Sequence, residues 1–235
     1  MKKILSLILI PAVAIGIVLA LTPSFASGNE TEKVESAIEV LDQIMAIPEM
    51  EIPPSLLRGA HGIAIIPSVI KVGFVFGGRY GRGVLMIRGH EGRWSAPVFV
   101  SIAGGSVGWQ IGAESTDVVL VFKSNKSIEG ILNGKFTLGA DAAVAAGPVG
   151  RRVEAATDER LQAEIYSYSR NRGLFAGVSL EGSVLQIVDE SNAVFYGKEK
   201  IRPREIFEGD VIVVPPAAVR LKKALSKYTA GHRME

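Results

Sequence analysis

The sequence contains no cysteine among its 235 residues. This excludes a disulfide framework, a thiol nucleophile, a zinc–thiolate site and lipidation at an N-terminal cysteine. Histidine is also scarce, and His61, His90 and His232 lie too far apart in sequence to form a motif with the spacing of metal ligands. We therefore expect no metal site and no cofactor.

The N-terminus has the order of a secretory signal peptide. A pair of lysines precedes an apolar run over residues 4–21, and the small residues Ser24 and Ala26 follow it. Cleavage after Ala26 divides the chain into a signal peptide, 1–26, and one predicted domain, 27–235. We expect the protein to be exported to the periplasm or secreted. The apolar run is nearly long enough to span a bilayer, so retention as an N-terminal membrane anchor is the alternative.

Charge of one sign is not in excess once the signal peptide is removed. The full chain has 26 lysines and arginines against 24 acidic residues, and both basic residues of 1–26 are lysines, which leaves 24 of each sign. Within residues 198–233, however, nine basic residues face four acidic ones. A neutral protein with a local basic segment is suited to bind an anionic surface. We expect no nucleic-acid partner, because domains that bind nucleic acid are typically strongly basic.

The pattern of apolar residues predicts an α+β fold that is β-rich, with glycine-bent antiparallel sheets, sandwich- or barrel-like, and helices at both termini. Three- and four-residue spacing predicts helices over 30–47 and 217–228, and Ser124 begins a shorter helix that ends at Leu132. Short apolar runs separated by glycine predict strands. They cover 62–66, 72–76, 83–87, 97–103, 107–111, 117–122, 138–146, 164–168, 174–180, 184–188 and 193–196.

One string resembles a catalytic motif. Residues 104–108 read Gly-Gly-Ser-Val-Gly and match the G-x-S-x-G pattern of hydrolases, in which Ser106 would be the nucleophile. A nucleophile elbow needs a strand, a sharp turn and a helix, whereas residues 109–111 predict another strand. We therefore expect no enzyme activity, and a secreted serine hydrolase remains an alternative.

Basic residues beside glycine turns are the candidate binding residues. Residues 77–83 combine four glycines with Arg79 and Arg82, which predicts an anion-binding nest of backbone N–H groups beside two guanidinium groups, or a plain hairpin loop. Residues 147–152 likewise present Arg151 and Arg152 on a rigid turn. Four lysines of the C-terminal part complete the predicted set for lipid head groups: Lys198, Lys200, Lys222 and Lys223.

A series of strings along the chain resembles the SYLF domain family, named for eukaryotic SH3-domain, yeast actin-patch and plant FYVE proteins, with secreted bacterial members. The resemblance extends over roughly residues 30–228. The strings, in chain order, are 62–67 (GIAIIP), 92–97 (GRWSAP), 108–112 (GWQIG), 116–121 (TDVVLV), 146–151 (AGPVGR), 166–170 (YSYSR), 173–182 (GLFAGVSLEG) and 195–197 (FYG).

The resemblance implies a non-catalytic protein that binds lipid, with peripheral membrane association. Eukaryotic members bind phosphoinositides, and fungal members also bind actin. This chain has an export signal and neither an SH3 nor a FYVE module, which argues against an actin role and favours an anionic bacterial phospholipid or related envelope amphiphile. A structural or adhesion-type envelope protein that binds a protein partner is the other alternative.

Overall fold

A computed structural model describes residues 22–48, 51–89, 91–149, 163–171, 174–175, 180–209 and 213–229. The predicted terminal helices are confirmed as the first and last helices of this part. In chain order the elements are α1 (Thr22–Met45), α2 (Pro54–Arg58), β1 (Gly62–Ile87), β2 (Val98–Phe122), α3 (Asn125–Leu132), β3 (Phe136–Thr137), β4 (Val144–Ala146), β5 (Ile165–Asn171), β6 (Leu174–Phe175), β7 (Val184–Ile187), α4 (Asp189–Tyr196), α5 (Pro203–Glu208) and α6 (Pro216–Thr229).

Two long strands form the centre of the fold. β1 and β2 pair antiparallel from Gly62 opposite Phe122 to Leu85 opposite Val98. Six of the predicted strands are therefore segments of only two. The glycines between those segments predict breaks, but Gly78, Gly81 and Gly83 have no positive φ and continue the strand.

The β1–β2 ribbon curls back on itself. A Cβ added to Gly83 would lie 2.1 Å from the carbonyl oxygen of Ile65 and 2.6 Å from the Cα of Ile66, so two segments of β1 touch backbone to backbone. The carbonyl of His61, just before the strand, accepts a hydrogen bond of 2.8 Å from the N–H of Arg88, just after it. This curl confirms the predicted barrel-like character, and only glycine permits the contact at position 83.

A bulge in β1 sets which residues face which side of the sheet. Between Ile66 and Val69 the strand has one residue more than β2, at a position where Ser68 has a φ of 53°. The N–H of Ser68 donates a 3.0 Å hydrogen bond to Asp117, and Asp117 forms an ion pair of 3.2 Å with Arg170 of β5. Both contacts hold the bulge in place.

The sides exchange across this bulge because successive strand residues point to opposite faces. Before it, the odd-numbered Ile63 and Ile65 face one buried cluster; after it, the even-numbered Val84 and Met86 face that same cluster. This side of the sheet carries α1, α2, α4 and α6. A second cluster on the other side includes Leu85 and residues of α3.

The remaining strands flank β2. The order is β3-β7-β2-β5-β4, with β1 along β2 and β6 beside β5, which makes one seven-stranded sheet in the described part of the chain. The predicted antiparallel sheet is confirmed, with one parallel pair: β4 runs parallel to β5 from Val144 opposite Ile165. A parallel pair needs a connection that brings the chain back to the end of the sheet where the first strand began, and the 18 residues between β4 and β5 are long enough for this.

The predicted strand over residues 193–196 is wrong, because these residues end α4. Ser191, Asn192, Phe195 and Tyr196 are buried together, which is the spacing of one helix face. The Asn192 side chain accepts a 2.8 Å hydrogen bond from the N–H of Phe99, and this contact fixes the helix against β2. Phe195 and Tyr196 are residue types that are common in strands. The contact that places the helix joins residues 93 positions apart, so the local sequence did not indicate it.

The predicted signal-peptide boundary falls inside α1. Residues 1–21 lie outside the described part, and Ala26 and Ser27 lie within the helix Thr22–Met45. Cleavage there and the single domain 27–235 stay predictions.

Candidate functional site

Arg82 lies on the helix side of β1, within reach of two helices. Its guanidinium forms an ion pair of 3.1 Å with Glu30 of α1 and also donates to the Ser191 hydroxyl of α4. Glu30 is buried, with 7% of its surface exposed. Arg82 therefore joins β1 to two helices, and its predicted contact with a head group would compete with these partners.

Arg79 lies on the opposite side of the same strand. It lies three positions before Arg82, an odd number, so the two side chains leave β1 in opposite directions. Arg79 is half-buried opposite Gly104 of β2, and burial lowers the pKa of its guanidinium. The predicted nest is wrong, and so is the plain loop, because residues 77–83 are extended strand. The two arginines do not form one clamp.

The four predicted lysines differ in their surroundings. Lys198 forms an ion pair of 2.5 Å with Glu205 of α5. Lys200, Lys222 and Lys223 make no ion pair with any residue in the described part of the chain. The last two lie on α6, whose Arg220 pairs with Glu35 of α1. Of the four predicted lysines, these three are therefore the ones available to an external anion.

Arg151 and Arg152 lie outside the described residues, but the turn before them is held closely. The Tyr168 hydroxyl donates a 3.0 Å hydrogen bond to the carbonyl of Pro148. A Cβ on Gly147 would lie 2.1 Å from the Tyr168 ring. Glycine is needed at this position because the ring lies directly against the backbone. Gly177, in a similar glycine-containing string, also lies outside the described residues.

Among the ribbon side chains that the structure describes, three large apolar ones are exposed, and the sequence did not predict them as surface residues. Ile70, Val72 and Tyr80 of β1 have 51%, 54% and 54% of their surface exposed. A second register shift lies between Gly73 and Val75, so each half is placed by its own neighbour: Val69 faces the second cluster, which puts Ile70 and Val72 on the helix side, and Arg82 contacts α1, which puts Tyr80 there too. Apolar type alone predicts burial, and the only available signal was the alternation with Lys71.

Ser106 lies in the middle of β2, paired with Gly77 of β1. The residues after it continue the same strand to Phe122. The strand–turn–helix geometry of a nucleophile elbow is therefore absent at this serine.

Other site types were sought in the described ranges. Within them, no group of three or more histidine, aspartate or glutamate side chains is placed to hold a metal ion. Of the helices described, none has the length and apolar character that crossing a membrane requires.

Comparison with known proteins identifies relatives over most of the chain. A family model described as "Ysc84: Las17-binding protein actin regulator" matches residues 103–228. The SH3 domain-containing YSC84-like protein 1 of Xenopus laevis is 40% identical over 213 residues, which is 88% of this chain and 63% of that protein.

Two yeast proteins are similarly related. Protein YSC84 of Saccharomyces cerevisiae is 42% identical over 203 residues, covering 84% of this chain and 42% of its own length. LAS seventeen-binding protein 3 of the same species is 39% identical over 185 residues, covering 77% and 40%. The chain thus spans about two fifths to three fifths of the length of these relatives. No enzyme is named among them, and their names do not support the expectation that an actin role is absent.

Proposed function

Because this chain belongs to the Ysc84 (SYLF) family, we propose that it is an exported, non-catalytic protein that binds anionic phospholipid or a related envelope amphiphile. The observation that carries the proposal is the free basic surface of α6. Lys222 and Lys223 lie there without an acidic partner in the described part of the chain, while the predicted mature chain has no net charge. Attraction to an anionic surface would then be local.

The strength of this attraction can be approximated. Each basic residue near an anionic membrane contributes about 1 kcal/mol, so Lys200, Lys222 and Lys223 together would contribute about 3 kcal/mol. That corresponds to an affinity gain of roughly 150-fold over a neutral surface. Arg82 and Lys198 contribute less, because Glu30 and Glu205 already neutralise them.

Vesicle co-sedimentation tests the proposal. We expect binding to phosphatidylcholine vesicles that contain phosphatidylglycerol to exceed binding to phosphatidylcholine alone, and to weaken as salt shortens the screening length. Replacing Lys222 and Lys223 together by glutamine should lower binding roughly tenfold or more. The double substitution of Lys198→Gln with Glu205→Gln is the control, since it removes one paired charge of each sign and leaves the net charge unchanged. Equal binding to both vesicle types at all salt concentrations would refute the electrostatic mechanism.

Export is part of the proposal and has its own measurement. We expect protein recovered from the periplasm or medium to begin at Ser27, as the small residues before it indicate. An intact mass that retains the apolar N-terminal run in the membrane fraction would instead support the anchored form.

A protein partner is the second candidate function. The description of the matching family names Las17 binding and actin regulation, and the match covers residues 103–228. Co-sedimentation with filamentous actin, in the absence of lipid, separates this function from the first. Binding to filaments without binding to anionic vesicles would favour it.

A further inference from the structure

The exposed side of the β1–β2 ribbon is built like the apolar side of a membrane-surface element. Ile70, Val72 and Tyr80 share the side of the sheet that α1, α2, α4 and α6 cover elsewhere, yet each is more than half exposed. We call these three residues the apolar ribbon face. A strand with one apolar and one polar side normally buries the apolar side.

The residues of β2 paired with this face are small. Ile70 lies opposite Ser115, Val72 opposite Ala113 and Tyr80 opposite Ala103. Each large apolar residue therefore stands beside a small one on β2, and no long side chain of β2 at these positions can shield it from water.

The other side of the same stretch carries charge. Lys71 lies between Ile70 and Val72 along the strand and points the opposite way, and Arg79 does the same beside Tyr80. Glu114, opposite Lys71, is the one acidic residue in 70–80 and 103–115, against two basic residues. Among the described side chains of this stretch of β1, the large apolar ones thus lie on one side and the two basic ones on the other, and the apolar side includes a tyrosine, whose ring is apolar and whose hydroxyl is polar.

We propose that the apolar ribbon face inserts into the outer acyl region of an anionic bilayer while Lys71 and Arg79 lie at head-group level. This inference rests on the proposed lipid function and names a site for it that is separate from α6. Charge complementarity selects a bilayer as the occupant, because a basic and apolar two-sided surface matches anionic lipid better than it matches a second copy with the same charges.

The absence of cysteine makes the test direct, since a single introduced cysteine can carry an environment-sensitive nitrobenzoxadiazole label. The label is placed at Val72→Cys and, as a control on a surface assigned to neither lipid contact, at Val194→Cys on α4, where a valine is exposed by 37% against 54%. Vesicles are phosphatidylcholine with phosphatidylglycerol, with and without doxyl-labelled lipid. We expect a blue shift and a several-fold rise in emission at position 72, quenched by the doxyl lipid, and neither at position 194.

The outcomes separate the site from the function. If the unlabelled protein co-sediments with vesicles while positions 72 and 194 respond alike, the insertion is refuted and lipid binding stands. If the protein does not co-sediment at all, both fail. A blue shift at position 72 that occurs without lipid and grows with protein concentration would show that a second copy covers this face. A lipid-free blue shift that disappears when residues 1–26 are removed would show that the apolar N-terminal run covers it. Either result overturns the proposal.

A substitution provides an independent measurement. Val72→Asp should lower partitioning into the same vesicles by tenfold or more and leave the melting temperature unchanged, because the side chain is exposed in the folded protein. Val194→Asp, which adds the same charge on α4, should leave partitioning within twofold. Equal effects of the two substitutions would contradict insertion of the ribbon.

Discussion

Gly83 is the position where one added methyl group should do most damage. The closest atoms to a Cβ there are backbone atoms, Ile65 O at 2.1 Å, Ile66 Cα at 2.6 Å and Ile65 C at 2.9 Å, whereas real Cβ atoms essentially never come within 3.0 Å of another such atom. Backbone atoms cannot rotate away as a side chain can. Gly83→Ala must therefore separate the two touching segments of β1 by about 1 Å, within a packed interior that resists expansion.

The expected loss of stability follows from forcing these two packed segments apart. Overpacking a core costs about 1–3 kcal/mol and occasionally more, and we expect at least about 3 kcal/mol here because the obstacle is backbone. An ordinary glycine-to-alanine change inside a strand has the opposite sign and gains about 0.5–1 kcal/mol. Gly78→Ala is the matched control in the same strand, since its Cβ would find its nearest atom, Gly104 O, at 4.0 Å.

Urea unfolding measures the difference. Trp94 is 99% buried, so its fluorescence reports loss of the core. With a slope of about 2–3 kcal/mol per molar urea, Gly83→Ala should lower the midpoint by about 1 M or more, and Gly78→Ala should leave it unchanged or raise it. Equal midpoints for the two variants would refute the inferred backbone contact and with it the curl of the ribbon.

Three further predictions concern the stability of the fold. Arg82→Gln should lower the free energy of unfolding by about 2 kcal/mol, which is less than the roughly 3–5 kcal/mol of a fully buried pair because 31% of the Arg82 side chain is exposed. In the same urea assay, the control Lys223→Gln should change the free energy of unfolding by no more than about 0.5 kcal/mol. Equal effects of the two substitutions would contradict a structural role for Arg82. Gly147→Ala should lower the melting temperature by several degrees, because its Cβ would displace the Tyr168 ring, whereas Gly105→Ala, with no atom within 4 Å, should not. Burial raises the pKa of Tyr168 and Tyr196, so their contribution to stability is full well below pH 10 and is lost as the pH rises above it; the free energy of unfolding should fall by about 1 kcal/mol per tyrosine between pH 10 and 11, and Tyr168→Phe should reduce that fall, so an unchanged fall would contradict burial of the hydroxyl.

Local patterns predicted the elements whose causes are local. The Ser124 hydroxyl accepts a hydrogen bond from the N–H of Ser127 and begins α3, as expected of serine before an apolar run. The apolar spacing of α6 predicted its buried side, which contains Leu221 and Leu225. These features need only a few neighbouring residues.

Distant contacts decide what could not be predicted. The sequence allowed a turn at Gly81 and Gly83. In the structure these glycines lie against Val69 and Ile65, on an earlier part of the same strand, and only the curl of the ribbon brings these residues together. The sequence predicted Arg82 to be free to bind an anion, because its partner Glu30 lies 52 residues away and no local pattern indicates this ion pair. Once residues 77–83 are known to be strand, alternation alone would have separated Arg79 from Arg82.

The bulge at Ser68 links the core of the protein to the proposed membrane surface. Because it adds one residue to β1, the even-numbered residues after it face the helices, and this places Val84 and Met86 in the core. The same shift places Ile70 and Val72 on that side, in the stretch that the helices do not cover. A strand without the extra residue would exchange the two sets and put the charged side of the ribbon against the helices. Burial of the later residues therefore fixes the orientation of the earlier ones, and the contact of Asp117 with Ser68 serves both the stability of the core and the exposure of the apolar ribbon face.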